Sequence, residues 1–131
     1  MTTTDIGRIG ERLAVKYLKK HRYKILEKNI HLSHNEVDII ATDKDYLVFV
    51  EVKTRSVDDN DVYSPYGTPA SAVTAAKQKR TVSAARSYIL KNSKSKHSRK
   101  QPRMDVIEVY LSKTSHKLIK LNHITDAFGA D

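Results

Sequence analysis

Three ionisable residues stand in the most apolar part of this chain. Asp38, Glu51 and Lys53 interrupt the runs Val37-x-Ile39-Ile40-Ala41 and Leu47-Val48-Phe49-Val50-x-Val52. Strands that apolar are buried on both faces, and a carboxylate or ammonium group is rarely buried without a partner or a metal. Two carboxylates on one sheet face can reach a single divalent ion, whose oxygen ligands sit at about 2.0–2.6 Å. A lysine two residues beyond the second acid can orient a water or stabilise charge developing on a phosphorane. The set points to metal-assisted phosphodiester hydrolysis with Mg²⁺ or Mn²⁺. The bland alternative is a solvated Glu-x-Lys pair on an edge strand beside a strand-end aspartate. The apolar flanks weigh against it.

The elements that must position these groups follow from the surrounding pattern. Residues 35–53 read as a hairpin closed by the polar Thr42-Asp43-Lys44-Asp45. With Ala41 opposite Tyr46, Asp38 faces Phe49 and Glu36 faces Glu51. Side chains alternate along a strand, so Asp38 then shares a face with Glu51 and Lys53. Asp38 and Glu51 become diagonal neighbours with Cβ atoms about 7–8 Å apart.

Residues 5–20 predict a helix, with Ile6, Ile9, Leu13, Ala14, Tyr17 and Leu18 at three- and four-residue steps and Thr4 or Asp5 as cap. Gly7 and Gly10 weaken it by up to about 1 kcal/mol each, which a close approach to another backbone would justify. Glu11 borders the apolar stripe; spacing alone makes it a surface glutamate favoured by the helix dipole. Tyr23 to Ile30 reads as the first strand. His31 and His34 form an H-x-x-H pair without a third ligand nearby, which fits loop polarity or a phosphate contact better than zinc.

Residues 54–68 are irregular, with Pro65, Gly67 and an acidic Asp58-Asp59-Asn60-Asp61 that lacks the glycine and distal glutamate of a calcium loop. Tyr63 and Tyr66 in this loop can stack on bases or simply pack it. Thr68-Pro69 opens a second helix running to about Leu90, with Val73, Ala76, Ala84, Tyr88 and Leu90 inward and Lys77 on the border of the stripe. Residues 91–102 read as a mobile basic loop, followed by strands over Arg103–Leu111 and Lys117–Leu121. The order predicts one α/β domain over 1–131, a mixed central sheet flanked by helices.

The chain has 131 residues, 39% of them hydrophobic, and no cysteine. Disulfide staples and thiolate-bound zinc are excluded. No apolar run reaches membrane-spanning length and the N-terminus carries no secretory pattern, which together predict a cytoplasmic location. Net charge is +9. Between Asp61 and Asp105 there is no acid, while Lys77, Arg80, Lys94, Lys96, Arg99, Lys100 and Arg103 are among the cations of that interval. Such a block favours a polyanionic partner through counterion release; nucleic acid suits it better than a membrane, for no aromatic-bearing amphipathic helix accompanies the charge.

These residues also carry a resemblance. Asp38 followed after twelve residues by Glu51-Val52-Lys53 is similar to the active-site motif of PD-(D/E)xK nucleases. Gly7-x-x-Gly10-Glu11-x-x-Ala14-x-x-Tyr17-Leu18, Asn35-Glu36-Val37-Asp38-Ile39-Ile40-Ala41 and Val48 to Arg55 resemble one branch, the YraN-like family of small bacterial proteins. Val73-x-x-x-Lys77, Arg103-Met104-Asp105-Val106 and His123-Ile124-x-x-Ala127-Phe128 extend the match to residue 128. Asn35 and His31 depart from the family pattern, which has glycine and arginine there. The resemblance implies a restriction-endonuclease-like α-β-β-β-α-β core and an Mg²⁺-dependent endonuclease acting on DNA, branched DNA by analogy with junction resolvases. It implies metal binding by Asp38, Glu51 and the Val52 carbonyl, water positioned by Lys53, help from Glu11, and nucleic-acid contact by Arg55, Lys77 and the basic block. Junction cleavage would call for a homodimer. A non-cleaving nucleic-acid adaptor and an RNA-directed nuclease are the alternatives.

Overall fold

Period-two alternation along the central strands divides the apolar side chains between two faces, and each face takes one helix. The computed structural model describes residues 1–32, 35–59 and 73–129. Five strands form one sheet in sequence order: β1 (Lys24–Leu32), β2 (Asn35–Thr42), β3 (Tyr46–Val57), β4 (Gln101–Ser112) and β5 (Leu118–Phe128). β3 and β4 run parallel, and every other neighbouring pair is antiparallel. The sheet is therefore mixed, as expected, with α1 (Thr3–Lys20) on one face and α2 (Ala75–Lys91) on the other.

Leu47 and Phe49 of β3 join Val82, Ala85 and Tyr88 of α2 in one core cluster. Val48 and Val50 join Ala14 and Leu18 of α1 in the second. All four β3 residues are fully buried, which accounts for the unbroken apolar run. The cap of α1 lies two residues before Thr4 and three before Asp5, the expected caps: Thr2 accepts from Asp5 N–H and the Asp5 carboxylate accepts from Thr2 N–H, a reciprocal capping box. Gly10 is needed for close packing, because a Cβ there would lie 1.8 Å from Thr54 Oγ1 on β3.

The hairpin register differs from the expected one by two residues. Asp43 N–H donates to the Tyr46 carbonyl, and the Asp43 carboxylate accepts from the N–H groups of Asp45 and Tyr46. The turn is thus displaced one residue toward the C-terminus, spanning residues 43–46 instead of 42–45, and Ala41 pairs with Val48, not Tyr46. A two-residue shift preserves which face each side chain takes. Glu36 lies across from His31 on β1 instead of facing Glu51.

The second helix also departs from expectation. Thr74 is extended and its hydroxyl accepts from Lys77 N–H, so α2 begins at Ala75. The cap assigned to Thr68-Pro69 lies outside the described residues, as do His34, Asp61, Tyr63, Pro65, Tyr66 and Gly67. Ala76 and Leu90, taken as inward, are exposed, whereas Val73, Ala84 and Tyr88 are buried. Residues 91–102, expected as a mobile loop, close α2, make a short 3-10 turn over Lys96–Arg99 and enter β4. Local polar bonds organise that stretch: Ser98 Oγ donates to the Asn92 carbonyl and Lys100 Nζ donates to Thr42 Oγ1.

Candidate active site

The β2–β3 ladder ends at Ile39 opposite Val50. One step further, the same register places Asp38 directly across from Glu51, closer than the diagonal relation expected. The main-chain donor beyond that last pair is satisfied by a side chain: Val52 N–H donates to Asp38 Oδ2 at 2.8 Å. Asp38 therefore closes the gap between the splaying strands.

Glu51 is buried, with 6% of its surface exposed. Its two oxygens lie 3.6 Å from Lys53 Nζ and 3.7 Å from Lys77 Nζ. Lys53 comes from the same strand and Lys77 from the first turn of α2, so the opposite helix completes the cationic flank. Glu11 reaches the opening from α1 and, with Gly7, Asp38, Val52, Lys53 and Thr54, lines a cleft of about 230 Å³ that also admits Glu51. The expected set of Glu11, Asp38, Glu51 and Lys53 thus converges, and Lys77 joins it.

Electrostatics mark Asp38. Its carboxyl is pushed from 3.8 up to about 7, chiefly by burial and next by the Glu51 charge. The Val52 N–H bond opposes the shift, Glu11 adds to it and Lys77 opposes it. Two acids crowded into a dry notch repel one another, and perturbed groups of this kind gather at functional sites.

The donor chemistry fits a hard divalent cation: two facing carboxylates, with a backbone carbonyl at Val52 between Glu51 and Lys53. Among the described residues no group of three or more His, Cys, Asp or Glu is placed to hold a metal. Glu11 is turned to another partner, as its Oε2 accepts from Asn29 Nδ2 at 3.0 Å. Asn29 was not singled out in the sequence. It has a φ of 49°, which asparagine tolerates better than most residues, and the β1–β2 register, with Lys28 opposite Ile39 and Ile30 opposite Val37, places it beside Asp38. Nothing in its neighbours' pattern signals that placement.

The cations assigned to nucleic acid separate into groups. Arg55 Nε donates to Glu108 Oε2 at 2.9 Å, and the buried Glu108 also accepts from the Tyr110 hydroxyl. Arg103 makes a bidentate pair with Asp105 at 2.8 Å for each bond and lies over the Tyr46 ring. Lys100 Nζ donates to the Asp43 carbonyl at 2.7 Å, tying it to the hairpin turn. Arg80, Lys94, Lys96 and Arg99 are exposed. Tyr46 pairs with Gln101 and Glu51 with Val106, so the Lys94–Lys100 stretch lies about 16 Å from the notch along the strands.

Asp105, opposite Val50 and one residue from the level of Glu51, anchors a second polar cluster on β4. Burial raises its proton affinity, but hydrogen bonds from His123 and Arg103 outweigh that and hold the carboxyl below its usual range. His123 Nε2 lies 2.7 Å from Asp105 Oδ2, and its Nδ1 lies 3.0 Å from the Tyr17 hydroxyl. The cluster ties α1, β4 and β5 together.

Among the described residues no helix is long and apolar enough to cross a membrane. The profile of an uncharacterised protein family, UPF0102, matches residues 10–109. A UPF0102 protein of Caldanaerobacter subterraneus is 44% identical over 123 residues, covering 94% of this chain and 93% of the relative. One from Clostridium botulinum strain Kyoto is 47% identical over 121 residues, covering 88% and 91%. A third, from Clostridium botulinum strain Hall, is 46% identical with the same coverage.

Proposed function

We propose that this chain, which belongs to the uncharacterised protein family UPF0102 and so to the restriction-endonuclease-like superfamily, is a metal-dependent endonuclease that hydrolyses phosphodiester bonds in DNA. The observation that carries the reading is the facing pair Asp38 and Glu51 at the splayed end of β2 and β3, flanked by Lys53 and Lys77. Asp38, Glu51 and the Val52 carbonyl would hold Mg²⁺ or Mn²⁺. The bound ion would supply Lewis-acid polarisation of the phosphate and a more acidic water. Lys53 sits beside Glu51 with its ammonium partly open to the cleft, where it can hold the attacking water or a non-bridging oxygen. Lys77 presents a second positive charge for the phosphorane. Hydrolysis adds water across one P–O bond; the hydroxyl stays on phosphorus and the leaving oxygen takes a proton. Glu11, held by Asn29, orders the opening from the α1 side.

Branched DNA is the preferred substrate, and symmetric cutting of a junction would need a two-fold dimer. A second reading, a nucleic-acid adaptor that does not cut, draws support from Glu51, whose oxygens both face ammonium groups. Labelled duplex, flap, four-way junction, single-stranded DNA and RNA, incubated with Mg²⁺, Mn²⁺ or EDTA, separate these readings. The endonuclease should cut in a metal-dependent way, and Glu51→Gln and Lys53→Ala should lower the rate by at least about a hundredfold. Binding by the wild type without metal-dependent cutting of any substrate would establish the adaptor.

A further inference from the structure

We propose that a cleft between α1 and β1, floored by Asp38, seats a backbone phosphate next to the one that is cut, so that the substrate strand enters the notch from this side. The inference rests on the phosphodiester reading above. The cleft has a volume of about 240 Å³ and is lined by Arg8, Glu11, Arg12, Lys28, Asn29 and Asp38, with two apolar neighbours. Glu11 and Asp38 also line the notch with Glu51 and Lys53. The two spaces therefore share a wall, and a chain lying in one continues into the other.

The charges of this cleft suit a phosphodiester backbone. Arg8 and Arg12 are one turn apart on α1 and project to the same side. Lys28 comes from β1, opposite Ile39 and next to Asn29. All three are exposed. Among the described residues none of them forms an ion pair, whereas Arg55, Lys77 and Arg103 each do. Two acids also line the cleft, so its cations outnumber its acids three to two, and each acid already accepts a hydrogen bond. Glu11 accepts from Asn29, and Asp38 Oδ2 accepts from Val52 N–H. Guanidinium forks that form no ion pair among the described residues match phosphate oxygens in shape and charge. One flank of the Asp38 wall thus offers carboxylates to a cation, and the other offers cations to a phosphate. The basic stretch at Lys94–Arg99 cannot serve a neighbouring phosphate, being about 16 Å away along the strands.

The test is equilibrium binding of fluorescent single-stranded DNA, and of RNA of the same sequence, in EDTA across a salt series. Three proteins are compared: wild type, Arg8→Gln/Arg12→Gln/Lys28→Gln, and the charge-matched control Lys19→Gln/Lys20→Gln/Lys44→Gln, whose exposed lysines sit at the other end of α1 and in the hairpin turn. The cleft variant should bind about tenfold more weakly or worse, with a log–log salt slope shallower by about 2. The control should shift by less than about twofold. Arg8→Lys/Arg12→Lys, which keeps the charge, should regain part of the loss and guards against misfolding as the cause. Equal loss in the control and the cleft variant, or full affinity in the cleft variant while the wild type binds, overturns this inference and leaves the nuclease reading standing. No binding by the wild type to either strand also overturns this inference, and leaves the nuclease reading, which rests on branched DNA, standing. Loss of RNA binding alone would assign the cleft to the RNA backbone and overturn the DNA assignment.

Discussion

At the scale of single residues, Asp38 carries the clearest consequence. The unfolded carboxyl ionises near 3.8 and the folded one at about 7. Between those values the folded chain keeps a proton that the unfolded chain has released. This group therefore makes stability fall as pH rises from about 4 to 7, and the full penalty applies above that. Glu11, Glu51 and Lys77 are the charges that face it. Asp38→Asn keeps an oxygen for Val52 N–H and removes the charge. In metal-free buffer the variant should be more stable than wild type at pH 8 by about 2–4 kcal/mol, and the gap should close near pH 4. Urea unfolding at the two pH values measures it; equal stability at pH 8 would show that the carboxylate is not strained. Asp105 behaves with the opposite sign. Its lowered folded value contributes stability that is present above about 4 and lost as pH falls through the folded value. Asp105→Asn leaves the partly buried Arg103 without its bidentate partner and should cost about 3–5 kcal/mol at pH 7.

At the scale of elements, the two glycines of α1 give a paired prediction. Gly10→Ala drives a methyl into Thr54 and should cost about 1–3 kcal/mol, because backbone or strand must shift. Gly7→Ala meets nothing within 4 Å and should gain about 0.5–1 kcal/mol from helix propensity. Chemical denaturation of both variants checks the pair, and a stabilised Gly10→Ala would mean that α1 does not sit on β3 as described. The elements also show what the sequence made readable. Apolar runs at Val37–Ala41 and Leu47–Val50 sufficed to place a buried hairpin, and periodicity placed α1 from Ile6 to Leu18. The register was misread because the turn held by the Asp43 carboxylate spans residues 43–46, one residue beyond the polar tetrad at 42–45. Face assignment survived, since a shift of two residues leaves parity intact. Leu90 was misplaced because, two residues and about 200° of turn beyond the buried Tyr88, it falls on the outer side of the helix. The 91–102 stretch looked unstructured by composition, yet short hydrogen bonds to Asn92 and Thr42 organise it.

At the scale of the molecule, charge is divided between two regions at opposite ends of the sheet. The α1–β1 cleft adjoins the notch, and the Lys94–Arg99 stretch lies beyond the hairpin turn. None of the exposed cations at Lys94, Lys96 and Arg99 forms an ion pair among the described residues. A long nucleic acid can touch both regions, while a short strand reaches one. Lys94→Gln/Lys96→Gln/Arg99→Gln should therefore weaken a duplex of about 30 base pairs more than a strand of about six nucleotides, with a flatter salt dependence for the duplex alone. Equal effects on both lengths would contradict two separate docking regions. Composition revealed the second region, because its basic residues are consecutive in sequence. The first was hidden: Arg8 and Arg12 come from α1 and Lys28 from β1, and the docking of α1 together with the β1–β2 register brings them beside Asp38.

The central claim is that Asp38 and Glu51 together form a seat for a divalent ion, with Lys53 beside it. Calorimetric titration of Mn²⁺ and Mg²⁺ into the purified chain at pH 8, alongside Asp38→Asn and Glu51→Gln, tests it without depending on any substrate. The wild type should bind one ion per chain, each variant should lose at least about tenfold in affinity, and Lys53→Ala should retain binding. Absence of binding by the wild type, or affinities unchanged in both acid variants, would contradict the account.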